Sequence, residues 1–178
     1  METINKKYKK NKEYIEASIP FQFGFELGIA GFGGYYEPGL SFLLSGKYNL
    51  NERFSAGIST GVEHFEIPIL PVAGEFQADI FKRRATPYIY VRGGYGFKLI
   101  SDEENNDYSV IYKGGPMFGA GIGIKKRFNS EFAMTFSIGY RHQQTYEERD
   151  YLFSDWWNSD YSRQYFMNRA AFKIGFVF

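Results

Sequence analysis

The side chains best suited to acid–base chemistry in this sequence lie together in its last third: Tyr140, Arg141, His142, Glu147 and Glu148. An imidazole oriented by a carboxylate can take a proton from a hydroxyl nucleophile, so Glu147 or Glu148 beside His142 would suit that role. The nucleophile itself is missing: Gln144 and Thr145 follow, and no serine comes before Ser154. Metal chemistry has less to work with, because His64 and His142 are the only histidines, they fall in different predicted strands, and cysteine is absent. Asp102, Glu103, Glu104 and Asp107 suit a weakly held divalent cation or, more simply, a solvated acidic loop. Gly93-Gly94-Tyr95-Gly96 and Gly119-Ala120-Gly121-Ile122-Gly123 look like phosphate cradles. Such cradles need a strand before and a helix after, whereas these glycines alternate along strands and read as interior packing. No catalytic residue, metal site or cofactor is therefore predicted.

Composition narrows the class. A chain of 178 residues with net charge +1 lacks the basic excess that phosphate backbones demand, which argues against nucleic acid as a partner. The absence of cysteine removes disulfides and thiolate sites together. No run approaches the eighteen or so apolar residues of a membrane helix, and no apolar leader segment follows Met1. The expectation is a cytoplasmic protein or a mature form carrying a starting methionine. Residues 1–17 hold a basic lead-in with Lys6, Lys7, Lys9, Lys10 and Lys12, which reads as a solvated tail or as a segment touching anionic lipid headgroups.

From residue 18 the pattern changes to a period of two. Ile19, Phe21, Phe23, Phe25, Leu27 and Ile29 share one face, and Gln22, Gly24, Glu26 and Gly28 share the other. Strict alternation of this length is the mark of a strand. Seven more such segments follow, centred near residues 44, 58, 76, 93, 121, 136 and 174. Connections near 49–52, 82–86 and 127–130 are brief, while those near 33, 67, 104 and 154 are longer, the longest being about 147–162. An up-and-down meander of eight strands follows, with both termini on the short-turn side.

Charge decides which face points inward. The apolar face is aromatic and nearly free of charge on all eight strands. The opposite face carries Glu26, Glu63, Glu75 and Asp79 with Lys47, Arg92, Lys98, Lys125, Arg141 and Lys173. Facing lipid, each Lys or Arg would cost about 2 to 4 kcal/mol near the bilayer midplane; inside a narrow barrel these groups can pair across the lumen. The prediction is an all-β, eight-stranded antiparallel up-and-down transmembrane β-barrel over residues 18–178, with a polar, charged interior.

These residues resemble the eight-stranded outer-membrane barrels of Gram-negative bacteria, similar to the transmembrane domain of outer-membrane protein A and the small porin-like barrels. The resemblance implies a bacterial outer-membrane location with both termini periplasmic, a monomer, and membrane lipid and lipopolysaccharide as surroundings. It also implies that an aromatic final strand, here Phe172, Phe176 and Phe178, is read by the barrel-assembly machinery. The family pattern often has glycine five residues before the end, where this chain has Lys173. The Tyr140–His142 segment also looks like the site of lipid A deacylases, which are eight-stranded barrels with a lipid-facing His, Ser and acid; their serine lies two residues after the histidine, at Gln144 here. Trp156, Trp157 and Tyr161 in the last loop suit an aromatic girdle or contact with an extracellular ligand. The expected role is a non-enzymatic envelope structural or surface-interaction protein acting through its loops, with a deacylase-like enzyme or a small-solute channel as the alternatives.

Overall fold

The computed structural model describes residues 20–31, 38–64, 68–99, 103–104, 108–151 and 161–178, with the backbone alone described at 103–104, 108–110, 112, 149–151 and 161. The lead-in 1–17, Trp156, Trp157, Asp102 and Asp107 lie outside the described residues, and Tyr161, Glu103 and Glu104 are described as backbone.

The strands are β1 (Phe21–Gly31), β2 (Gly39–Asn49), β3 (Phe54–His64), β4 (Pro68–Asp79), β5 (Ala85–Lys98), β6 (Glu103–Glu104), β7 (Tyr108–Lys113), β8 (Gly115–Arg127), β9 (Ala133–Tyr151) and β10 (Tyr161–Val177). Eight of them, β1 to β5 with β8, β9 and β10, pair antiparallel in a ring that closes where β10 meets β1. The closing seam runs from Gly24 opposite Val177 to Gly31 opposite Ala170. Phe178 extends it: its N–H donates to Phe23 O at 2.7 Å, and Phe23 N–H donates to Phe178 O at 3.0 Å.

Register gives the barrel its dimensions. A circuit from Phe21 passes through Tyr48, Ala56, Phe76, Val91, Ala120, Tyr140 and Ala170, and returns to β1 at Gly31, ten residues further along. Eight strands with that stagger tilt by about 40° and enclose a backbone cylinder of radius about 8 Å. An 11-residue strand such as β1 then rises about 25 Å, the height of the apolar band of a membrane barrel.

The outward face matches that band. Phe23, Leu27, Leu40, Ile58, Ile89, Ile122 and Phe172 are among the exposed large apolar side chains, and Ile58 reaches 72% exposure. Apolar surface spread round every strand is far more than a water-soluble monomer exposes. Alternation buries the other face, including all ten of the predicted charged residues except Glu26, Asp79 and Lys98, which are half-buried on the lumen side.

Two boundaries differ from the sequence reading. β9 continues to Tyr151 and β10 begins at Tyr161, so every described residue of the predicted loop 147–162, namely 147–151 and 161–162, is strand. β7 pairs with this upper part of β9, placing Lys113 opposite Tyr146, whereas β8 places Met117 opposite Gln143. Three residues, Gly114 to Pro116, therefore face two on β9, which is a β-bulge. A Cβ on Gly114 would fall 2.0 Å from Gly96 O, so the bulge needs glycine there. The sequence reading centred the sixth strand near residue 121 and left 108–116 unassigned; β7 and β8 are one bent strand there.

Candidate functional site

The lumen holds the densest chemistry. Arg92 of β5 donates from Nε to Glu75 Oε2 at 2.9 Å and from Nη2 to Glu26 Oε2 at 3.0 Å. Glu75 also takes Lys47 Nζ at 2.5 Å on its other oxygen. Lys47 donates to Gln77 Oε1 at 3.0 Å, Gln77 Nε2 donates to Asp79 at 2.9 Å, and Asp79 pairs with Lys125. Toward the long-loop end, Glu63 accepts from Arg141 Nε at 3.1 Å and from Ser41 Oγ at 3.1 Å. Lys173 lies between the two groups, 3.9 Å from Glu26 and 3.9 Å from Glu63.

The result is a continuous polar chain from Lys125 to Arg141 to which every barrel strand contributes. Nine of the ten predicted network residues belong to it. Lys98 shares the lumen face nearer the long-loop rim. The sequence reading put Gln22 and Gln77 on the inward face without joining them to the charged network, and missed Arg127, Gln143 and Arg169; all five are buried. Parity would have found the missed ones: Arg127 is two residues after Lys125, and Arg169 is four before Lys173 on a strand assumed to start later.

One space left beside the charged chain is small. A cavity of about 10 Å³ among Glu26, Ser45, Lys47, Gln77, Tyr88 and Thr135 has room for roughly one water. Nearer the long loops, Ile69, Met167, Ala30 and Ala171 form an apolar cluster at most 3% exposed. The glycine runs serve this filling. A Cβ on Gly123 would meet the Tyr88 ring at 2.5 Å, and one on Gly139 would meet the Tyr90 hydroxyl at 2.4 Å. These glycines leave the space that the two lumen tyrosines occupy.

His142 points outward, as its parity predicts, just past the row where β1 ends at Gly31. Its Nδ1 lies 2.6 Å from Asn168 Oδ1, which also accepts from the Tyr140 hydroxyl at 2.6 Å. Gln144 Nε2 lies 3.2 Å from His142 Nε2. An amide NH₂ only donates and a carbonyl oxygen only accepts, so the neutral ring carries its proton on Nδ1 and turns its Nε2 lone pair to Gln144. Neither predicted acid orients this ring. Glu147 faces the lumen, where it accepts from the Tyr165 hydroxyl at 2.6 Å, and Glu148 pairs with Lys113 at 2.7 Å. Asn168 takes the orienting position, and an amide meets the nitrogen that a nucleophilic hydroxyl would need.

His64 closes β3 on the outward face, four strands round the wall from His142. Phe178 and Phe176 join Phe25 and Phe132 in a ring cluster with centroids 5.0–6.2 Å apart. That cluster fastens the seam at its short-turn end, and Phe172 lies further up the same outward face.

No protein-family model and no curated protein matches the sequence. Among solved structures, the outer membrane protein OprG from Pseudomonas aeruginosa superposes with a TM-score of 0.65 at 10% identity, covering 94% of this chain and 97% of that one. The fold is that of a small outer-membrane β-barrel. The N-terminal β-barrel domain of OprF from the same organism gives a TM-score of 0.52 at 14% identity, over 88% of this chain and 97% of that chain. At such identities the likeness speaks for the barrel's architecture and leaves its lumen and rim chemistry to this chain's own residues.

Proposed function

We propose that this barrel is a non-conducting, non-enzymatic protein of the bacterial outer membrane that presents a sheet beyond the bilayer for surface interaction. The observation that carries the reading is the extension formed by β6, β7 and the upper parts of β9 and β10. Tyr151 lies eleven residues past Tyr140, which shares a register row with the end of β1, so the extension stands roughly 20 Å above that rim. A wall that only had to span the membrane would not need it. Its partner is an extracellular ligand met by this extension, with Tyr161 at the start of β10, and by the segment before it that carries Trp156 and Trp157. Lipopolysaccharide surrounds the long-loop end, the short turns and both termini lie in the periplasm, the protein is a monomer, and Phe172, Phe176 and Phe178 are read by the assembly machinery. Support for a closed barrel comes from the charged chain and apolar cluster that fill the lumen.

Single cysteines test this arrangement in a Gram-negative host that expresses the protein. Ser162→Cys on β10 is expected to react with an impermeant maleimide on intact cells, and Ser130→Cys in a short turn only after the outer membrane is permeabilised. Reversed labelling refutes the orientation. Replacing residues 147–163 by a tight turn should leave folding and insertion intact; if the barrel then fails to fold, the extension is structural and not a display surface. Steady conductance in planar bilayers would refute closure. Lipid A changes abolished by His142→Ala would refute the non-enzymatic reading.

A further inference from the structure

Among the described residues most cations are answered by acids, and those without a described acid partner gather at the short-turn rim. Lys82 pairs with Glu52, and Lys125 with Asp79. Arg84 donates to Arg127 O at 3.0 Å and to Phe128 O at 3.1 Å, which ties the β4–β5 turn to the β8–β9 turn. Arg127 N–H donates back to Arg84 O at 2.8 Å, so the ladder between β5 and β8 continues into the turns. Of the exposed cations at this rim, Arg53, Arg83 and Lys126 are left, and the last two stand at one corner. Both are exposed, and among the described residues neither has an acid partner.

The backbone brings them to one place. Lys126 is the register partner of Ala85, and Arg83 lies two residues before Ala85 in the β4–β5 turn, which the Arg127 N–H to Arg84 O bond holds against the end of β8, so both cations belong to the same corner of the rim. Each stands over an aromatic ring: Arg83 Cζ is 5.4 Å from the Phe81 centroid, and Lys126 Nζ is 5.3 Å from that of Phe128. Phe81 is 49% exposed and Phe128 40%, with Ile80 beside them at 45%. A pair of uncompensated cations at the edge of an apolar belt, backed by exposed rings, has the polarity of a phospholipid at its headgroup: anion on one side, glycerol and acyl chain on the other.

We infer that Arg83 and Lys126, above Phe81 and Phe128, form a binding site for the phosphate of an anionic phospholipid in the leaflet at the short-turn end. Guanidinium and ammonium meet the phosphodiester oxygens, and the rings take the first carbons of the chains. Arg84 is a positioning residue, holding the two turns in register. Arg53, in the neighbouring β2–β3 turn, is a further exposed cation of the same rim without an acid partner among the described residues. The site rests on the membrane-barrel reading above.

The full chain is first inserted into neutral phosphatidylcholine bilayers and checked for the folded form by its gel mobility before and after boiling. Failure to fold there refutes the barrel reading and this site with it. Native mass spectrometry of the protein released from mixed phosphatidylcholine–phosphatidylglycerol bilayers then reads the lipid that stays bound. Each basic residue near a lipid surface is worth about a fivefold preference, so the pair should favour phosphatidylglycerol by roughly 25-fold. Arg83→Gln with Lys126→Gln is expected to bring the ratio near one while the protein still folds in neutral lipid, and Arg83→Lys to keep most of it. No preference in the wild type, or an undiminished preference in the double variant, overturns the site. Inorganic phosphate that abolishes the preference beyond sodium chloride of equal ionic strength would reassign it to the free anion and overturn the lipid.

Discussion

Glu63→Gln is the most exacting perturbation of the lumen. The Glu63 side chain is 1% exposed and anchors the guanidinium of Arg141, whose own side chain is 4% exposed. It also accepts from Ser41 and stands 3.9 Å from Lys173. The amide keeps the shape and one acceptor but leaves Arg141 without its anion and Lys173 with Glu26 alone. Removing one partner of a buried pair costs about 3 to 5 kcal/mol, because the other charge remains desolvated. The retained acceptor argues for the lower end, about 3 kcal/mol. With a urea dependence of about 2 kcal/mol per molar, the unfolding midpoint should fall by roughly 1.5 M. Reversible urea unfolding in lipid vesicles, read by the mobility of folded and unfolded bands, measures this. The double variant Glu63→Gln with Arg141→Met removes the stranded cation and should cost clearly less than the two single changes added together. A single-variant midpoint within 0.3 M of wild type, a shift expected of about 0.6 kcal/mol, or strict additivity in the double variant, would refute the reasoning.

Three further outcomes are expected. Removing Phe178 takes away both backbone hydrogen bonds to Phe23 and the ring contacts with Phe25 and Phe132, so refolding into vesicles should slow and stability fall by about 2 to 4 kcal/mol; unchanged folding would show that the seam does not depend on it. Gly139→Val puts a side chain where the Tyr90 hydroxyl and Ala120 O lie and should cost about 1 to 3 kcal/mol, whereas Gly93→Ala, with nothing within 4 Å of the new Cβ, should stay within about 0.5 kcal/mol, both by urea midpoint. In planar bilayers, Arg92→Ala with Glu75→Ala should remain silent because Ile69 and Met167 still close the long-loop half; adding Ile69→Gly should produce conductance steps. Steps from the double variant alone would refute a two-part closure.

The strand count and the inward charge were legible because alternation is local: once Phe23, Leu27 and Ile29 share a face, Glu26 must take the other. The same parity sent His142 outward. Where the sequence reading failed, the cause was a signal with two meanings. Gly114-Gly115-Pro116 interrupts the alternation that marks a strand, so the strand before it went unassigned, yet packing against Gly96 makes it a bulge inside a continuing strand. Glu147 and Arg149 look like loop residues because charge usually marks solvent, but β7 supplies a neighbour that draws β9 onward to Tyr151.

Periodicity and charge by themselves determined that this chain is a barrel with lipid outside and ions within, since a two-residue repeat fixes faces without reference to any other part of the molecule. Which ion meets which was decided only by the closed tertiary structure. Arg92 and Glu26 are 66 residues apart, and Arg141 and Glu63 are 78 apart. Those pairs depend on the ten-residue stagger of the ring, which sums the registers of eight pairings and cannot be read from any one strand. The tertiary structure likewise gave His142 the Asn168 amide in place of an orienting acid, and left Arg83 and Lys126 at one corner of the rim without an acid partner among the described residues.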